Sequence, residues 1–528
     1  MSMIRRIFPG RKASPTIHEF IAAHLDPSGV GLLPGGEDLP DTVRSPNEIS
    51  WMAGAFDGVG THHMGGTSEQ PTVTEVFDLL RKTIASGLKP TEFGRLYERL
   101  LQERVLTILD PVLETVRGSA LPTEGLRRVG HRLATEGRHR EPVKFGIALS
   151  GLLPGDPERD VLMTLGRHEE FTLYCAVAVA NTEVDPEPVL WQMAKAVTGW
   201  GRIHIVERLR STKNPEIQQW MLRGGFRNAV MNEYLAYIAA TTGDLVEALR
   251  GTDIDDALFD AACEIVSALI AGGPAQDIDD YADAPAALAL LVGHLERRAT
   301  KLLHFIVADE IEAFLARGDW SSRYEKRWTE QEREDLMRRV QAIKARDLWL
   351  PLATESLSSD DLTTFYEADH AARTLGVETF DAHWARVQKD PLHGPWYGAM
   401  KQVTEDRIDE LLAFAKRSLP LAAIASGPSD SLGLGPDYAP HQVLDFIVQE
   451  LPRFPGRGWP LVNAALRSPV VRNRNMAINA LERWTKSAWP PEAILAVEQA
   501  AELEPRGDVK NRLVALSRST PPGRGLDA

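Results

Sequence analysis

From about Thr72 onward, nearly every stretch of this chain places apolar residues at helical intervals. Met231, Tyr234, Leu235 and Ile238 fall at i, i+3, i+4 and i+7, one face of a helix. Ile408, Leu411, Leu412 and Ala415 repeat that spacing, as do Ala477, Ala480, Leu481 and Trp484; Leu336, Val340 and Ile343 form a narrower stripe between charged flanks. Strand-like alternation of apolar and polar residues is hard to find. Asn214-Pro215, Asp185-Pro186 and Ser468-Pro469 each set a capping residue before a proline suited to a first helical turn. The pattern predicts an all-α protein.

At 528 residues the chain is long enough for several domains or one extended array. With 43% hydrophobic and 25% charged residues it has the composition of an ordinary globular protein. Acidic residues outnumber basic ones, 74 to 59, and the net charge of −15 argues against a surface built for phosphate backbones. Two cysteines, Cys175 and Cys263, exclude a disulfide framework, and no CxxC pair suggests zinc. The basic start MSMIRRIFPGRK is not followed by the apolar core of a secretory signal. The longest apolar-rich stretch, Ala284 to Val292, falls well short of the roughly 20 residues that span a bilayer. The expectation is a soluble, cytoplasmic protein with no membrane partner.

Between residues 140 and 250 the helical segments begin near Pro142, His168, Pro188 and Pro215, so alternate segments start 46 and 47 residues apart. That interval lies within the roughly 40–47 residues of two-helix HEAT and armadillo units. The stretch 140–250 therefore resembles HEAT repeats. Residues 457–500 are similar, with Ser468 to Trp484 (SPVVRNRNMAINALERW) resembling the second helix of a unit. The resemblance implies an α-solenoid of stacked helical hairpins and a protein–protein interaction role. From about 250 to 440 the helices continue without an evident period, which fits a divergent solenoid better than an irregular bundle, because each amphipathic pair needs a neighbour for its second face. The expected organisation is an irregular N-terminal segment over 1–70, a helical array over 71–426, a HEAT-like unit over 437–518 and a disordered tail over 519–528.

Five segments bear on chemistry. Trp51 to Gly66 (WMAGAFDGVGTHHMGG) carries Asp57, His62 and His63, residue types that ligate Zn²⁺ or Fe²⁺. Adjacent histidines on a helix diverge by about 100°, and no second acidic motif completes the set, so no metal site and no cofactor are expected there. The stretch also resembles a group of helical bacterial proteins labelled limonene hydroxylases, which would imply an oxidative activity. In Gly166 to Thr172 (GRHEEFT), Glu169 and Glu170 suit the positive end of a helix and Phe171 a core. In Arg223 to Glu233 (RGGFRNAVMNE), Gly224-Gly225 reads as a C-cap. Arg223, Arg227, Asn228, Asn232 and Glu233 then line a ridge for a protein partner, or an Arg–Glu network bracing neighbouring repeats. The acidic run Asp277 to Asp283 lacks the glycine and closing glutamate of a calcium loop. His383, Trp384, His393, Trp396 and Tyr397 suit a loop stapled onto a helical layer.

No phosphate-binding loop, dinucleotide fingerprint or nucleophile elbow is present in the sequence. Cys175, inside LYCAVAVA, reads as a small core residue. The reading that follows is a non-enzymatic helical-repeat scaffold for protein–protein interaction, of unassigned catalytic residues and unidentified partner. The alternatives are an enzyme with a metal or oxidative site near Asp57, His62 and His63, and a HEAT-like nucleic-acid binder that the net charge disfavours.

Overall fold

The computed structural model describes residues 14–43, 51–63, 70–153 and 158–518; the expected tail at 519–528 and Met64 to Gly66 lie outside the described residues, as does the side chain of His63. Among the described residues the protein is all-α, and the only extended pairings are isolated bridges, Leu25 with Leu32 and Ser431 with Val470. No described helix is long and apolar enough to cross a membrane. Contacts divide the described residues into two units, one up to and including Arg346 and one from Asp347 onward.

In the first unit, alternate helices pack in a row. Gln70–Ala85 packs on Val105–Arg117, and the row continues through Arg140–Ser150, Glu169–Thr182, Trp200–Arg208, Glu233–Thr242, Asp256–Ala271, Leu302–Ala316 and Glu330–Lys344. Each of these helices therefore has two helical neighbours and buries more than one face. Phe145, Phe171, Ile203, Leu235, Phe259 and Phe305 are all shut away from solvent. Burial at this scale stabilises by about 25 cal/mol per Å² of apolar surface, which is why side chains rather than caps hold the row together. Caps set the ends. Thr329 and Glu332 form a reciprocal capping box, Asp255 accepts from the Leu258 amide, and Asn214 accepts from the Glu216 amide.

The second unit packs Trp396–Gln402, Ala439–Val448, Val471–Arg483 and Gly507–Arg518 in a similar row. Its core runs from Phe380 to Leu516. His383 is buried against Asp369, and Trp384 packs against Trp396 and Phe414. His393 lies at the surface beside Asp390, and Tyr397 is half exposed.

Several local expectations are corrected. The first unit contains two helices that period alone did not reveal, Arg159–Leu165 beside the row and Trp200–Arg208 within it. In the latter Ile203, His204, Ile205 and Val206 are all buried, so no polar stripe marks it as a helix. Met231 is not on a helix face: the helix begins at Glu233, and Met231 sits exposed in the turn before it. Gly224-Gly225 is not a left-handed cap; Met221–Gly225 forms a π-helical turn, and the Trp220 indole lies where a Gly225 side chain would start. Ser468-Pro469 precedes its helix by two residues, Ser468 Oγ accepting from the Val470 amide before Val471 opens the helix.

Candidate functional site: a buried ion centre and an adjoining imidazole–carboxylate cluster

Lys144 is the residue around which the N-terminal part of the row is organised. It sits in the apolar run EPVKFGIALSGLL and is only 2% exposed. Its Nζ donates to Asp57 Oδ2 at 2.7 Å, lies 2.6 Å from Glu170 Oε1 and 3.5 Å from Glu141 Oε1. Tyr174 donates its hydroxyl to the same Asp57 oxygen at 3.0 Å. The second oxygens of Glu170 and Glu141 take backbone donors: the Gly54 amide reaches Glu170 Oε2 at 3.1 Å and the Val105 amide reaches Glu141 Oε2 at 2.7 Å. Arg140 approaches Glu170 at 3.7 Å and is itself held by Asp41.

One ammonium thus faces three carboxylates in a buried space. Burial alone would depress the Lys144 ammonium, yet Glu170, Asp57 and Glu141 together outweigh it and hold its pKa above the ordinary value. Burial likewise opposes ionisation of Glu170, but Lys144 and Arg140 prevail and keep its carboxyl below the usual range. At Glu141 burial wins and the carboxyl is raised. An ammonium so held stays protonated, so Lys144 cannot serve as an amine nucleophile. Its role is to fix the helix Ala55–His63, through Asp57, against Arg140–Ser150 and Glu169–Thr182. Cys175, fully buried nearby in sequence, has its thiol pushed up by burial and supplies no thiolate.

That anchoring delivers His62 to a second cluster. Gly58 lies so close to the Trp200 ring that a Cβ would sit 2.1 Å from it, and this approach brings the next turn of the helix against Trp200–Arg208. His62 Nδ1 is 2.9 Å from the Gly58 carbonyl, an acceptor, so Nδ1 carries the hydrogen. Nε2 faces Glu207 Oε1 at 2.9 Å. His204, one turn before Glu207 on the same helix, places Nδ1 4.0 Å from Glu207 Oε2. Its Nε2 is buried with no hydrogen-bond partner among the described residues. Aromatic rings wall the cluster: Trp200 and Tyr234 stand 5.3 and 5.5 Å from the His62 ring centre. The hydrogen bond to Glu207 raises the His62 pKa against the opposing effect of burial, while burial pushes His204 down to about 3.

The helix that carries His204 and Glu207 is capped by its neighbour. Glu169 accepts from the amides of Thr198, Gly199 and Gly201 at 2.9, 2.6 and 2.6 Å. Glu169 therefore serves the positive end of the following helix rather than only its own. His168 caps Glu169–Thr182 through Nδ1, and burial lowers its pKa to about 4.

Asp57 and His62 do not meet in one ligand set: Asp57 turns to Lys144 and His62 to Glu207. Lys144, Tyr174, His204 and Glu207 were missed from sequence. A lone lysine in an apolar helix and the histidine–glutamate pair at i, i+3 in WGRIHIVER were the available signals. On the ridge, Arg223 pairs with Asp255 at 2.6 Å, and Arg227 makes two bonds to Glu264 at 2.5 and 2.7 Å. Asn228 pins its turn, accepting from the Val230 and Met231 amides at 2.9 and 2.8 Å and donating to the Met231 carbonyl. Asn232 accepts from the Asn228 amide at 3.2 Å, and Glu233 packs near Gly273. In the acidic run, Asp279 binds Arg323 through both carboxylate oxygens.

No protein-family model matches the chain, and no curated protein matches it. Among solved structures the chain matches that of an engineered protein determined by the Northeast Structural Genomics Consortium. It shares 17% identity over 84% of this chain and 98% of its own, with a TM-score of 0.22, too slight a likeness to carry an argument.

Proposed function

We propose that the chain is a non-enzymatic helical-repeat scaffold of the HEAT-like α-solenoid kind, and that it binds a protein partner through the ridge between Arg223 and Glu233. The observation that carries this reading is the turn at Asn228. The Asn228 side chain holds the loop in one conformation, and at its tip Val230 and Met231 are 37% and 38% exposed. Two apolar side chains on a preorganised turn, flanked in sequence by Arg223, Arg227 and Asn232, make a compact contact whose ordering cost is already met. The row of alternating helices supports the repeat reading, since each helix leans on its predecessor and successor. The net acidic charge of the chain would steer a basic partner toward it.

A photocrosslinking residue at Met231, in the full chain in native lysate, tests the reading. A discrete adduct with one protein is expected, lost in Arg223→Glu/Arg227→Glu. Adducts no stronger than those from a crosslinker at exposed Arg338, or unchanged by the double substitution, would remove this ridge as the binding surface.

A further inference from the structure

We propose that His62, His204 and Glu207 form a binding site for a borderline divalent transition-metal ion, of which Zn²⁺ is the representative. Nothing in the scaffold reading requires this site, and it stands or falls separately. One ligand atom from each residue can be chosen so that all three lie within 4.8 Å of one another. Metal–nitrogen and metal–oxygen bonds of about 2.0–2.2 Å place ligands of one ion roughly 3–4 Å apart. The His62–Glu207 separation of 2.9 Å already satisfies that spacing, and the 4.0 Å from His204 Nδ1 to Glu207 is at its upper edge. The remaining separation, between the His62 and His204 nitrogens, is within 4.8 Å, so ligation needs the two rings to rotate toward each other.

Three further observations point to a ligand. The His204 side chain is buried, the residue being 3% exposed, and its Nε2 has no hydrogen-bond partner among the described residues, so the ring gives up no hydrogen bond at Nε2 when it turns to offer a nitrogen to an ion. His62 is oriented as metal-binding histidines are, with Nδ1 held by a backbone carbonyl and Nε2 turned to the ligand side. The surroundings are Trp200 and Tyr234, aromatic walls that strengthen charge–ligand attraction by excluding water. Two imidazoles and one carboxylate select Zn²⁺ or Fe²⁺ over Mg²⁺ and Ca²⁺, which prefer oxygen alone. Glu207 is about one-third exposed and marks the side from which an ion would enter.

A divalent ion bound between His62 Nε2 and Glu207 would displace any hydrogen held between them, which would leave to solvent. Because His62 and Glu207 are 145 residues apart, the ion would also staple the helix Ala55–His63 to Trp200–Arg208.

The test uses the full chain stripped with chelator and then titrated with Zn²⁺ by calorimetry and with Co²⁺ by visible absorption. One ion per chain is expected, with visible Co²⁺ bands of a low-coordinate nitrogen–oxygen site and slower amide exchange over 55–63 on Zn²⁺ addition. Affinity should fall at least tenfold in His204→Ala and in Glu207→Gln. The latter keeps a hydrogen-bond acceptor for His62 at a partly exposed position, so it decides the matter if His204→Ala fails to fold. Absence of saturable one-to-one binding in the unaltered chain, or equal binding in the Glu207→Gln chain, would overturn the proposal.

Discussion

Each unit of this protein buries a basic side chain, and the two are handled in opposite ways. In the second unit Arg474, 0% exposed, faces a single carboxylate. Its Nε and Nη2 reach the two oxygens of Glu504 at 2.7 and 2.9 Å, and Nη1 donates to the carbonyls of Ser468 and Pro469 at 2.8 and 3.0 Å. Charge and hydrogen bonds balance within one fork-to-fork pair. In the first unit Lys144 is outnumbered by Asp57, Glu141 and Glu170. A point charge with three donors can gather segments from different parts of the chain, which the planar guanidinium does with less freedom. The cost is an excess of buried carboxylate. Arg474 locks one junction, whereas Lys144 collects three elements at the expense of sensitivity to its surroundings.

The largest expected effect tests that asymmetry directly. Lys144→Met leaves Asp57 buried without its cation and Glu170 with only the more distant Arg140, and should destabilise the first unit by about 3–5 kcal/mol, as breaking buried pairs does. Arg474→Met strands only Glu504, and its loss in the second unit should be smaller by about 1 kcal/mol. Urea unfolding followed for each unit measures both. Adding Glu170→Gln to Lys144→Met should recover part of the loss; no recovery would mean that stranded charge is not the cause.

Acid should separate the units next. His168 is buried neutral, with its pKa near 4 in the folded protein against 6.5 for an ordinary histidine. A depressed folded value means that its contribution is fully present above pH 6.5 and is lost as pH falls from there toward 4. Linkage puts the loss at about 2 kcal/mol by pH 5. His168→Gln should flatten that part of the stability profile; an unchanged slope between pH 7 and 5 would assign the acid sensitivity elsewhere.

Gly58→Ala should come third. The new methyl would collide with the Trp200 ring, at a cost of about 1–3 kcal/mol by overpacking, and would lift Asp57 from Lys144. Hydrogen exchange over 55–63 should quicken while that over 471–483 stays as it is. The smallest effect is expected at Arg227→Ala. Its pair with Glu264 is partly exposed on both sides, so a loss within about 1 kcal/mol is anticipated and gives the baseline for an ion pair in water. A larger loss would show that exposure does not separate bracing pairs from ornamental ones here.

The helical character was legible because stripes such as Leu336, Val340 and Ile343 face a core on one side and water on the other. It failed where that contrast vanishes. Trp200–Arg208 is enclosed by neighbours, so Ile203, Ile205 and Val206 are buried together and the 3.6-residue rhythm is lost. Ends set by proline and asparagine were found at Asn214-Pro215 but misplaced at Ser468-Pro469, where the serine braces a turn before the helix. The candidate site was half visible. Asp57 and His62 stood out as unusual residues, but their partners come from helices far along the chain, and no local spacing encodes that Lys144 meets Asp57 or that Glu207 meets His62. The Arg227 pairing with Glu264 is likewise a product of packing.

The distance in sequence between His62 and Glu207 also sets a schedule for synthesis. At ribosomal speeds of roughly 5–20 residues per second, the separation of 145 residues takes about 7–30 s to emerge. For roughly the first half of that interval the segment bearing Asp57 has no Lys144 to answer it, and Trp200 follows only near its end. Its docking is a late event, after the platform beneath it has been translated, and a cell that halts translation early would hold a nascent chain whose first helices are still waiting.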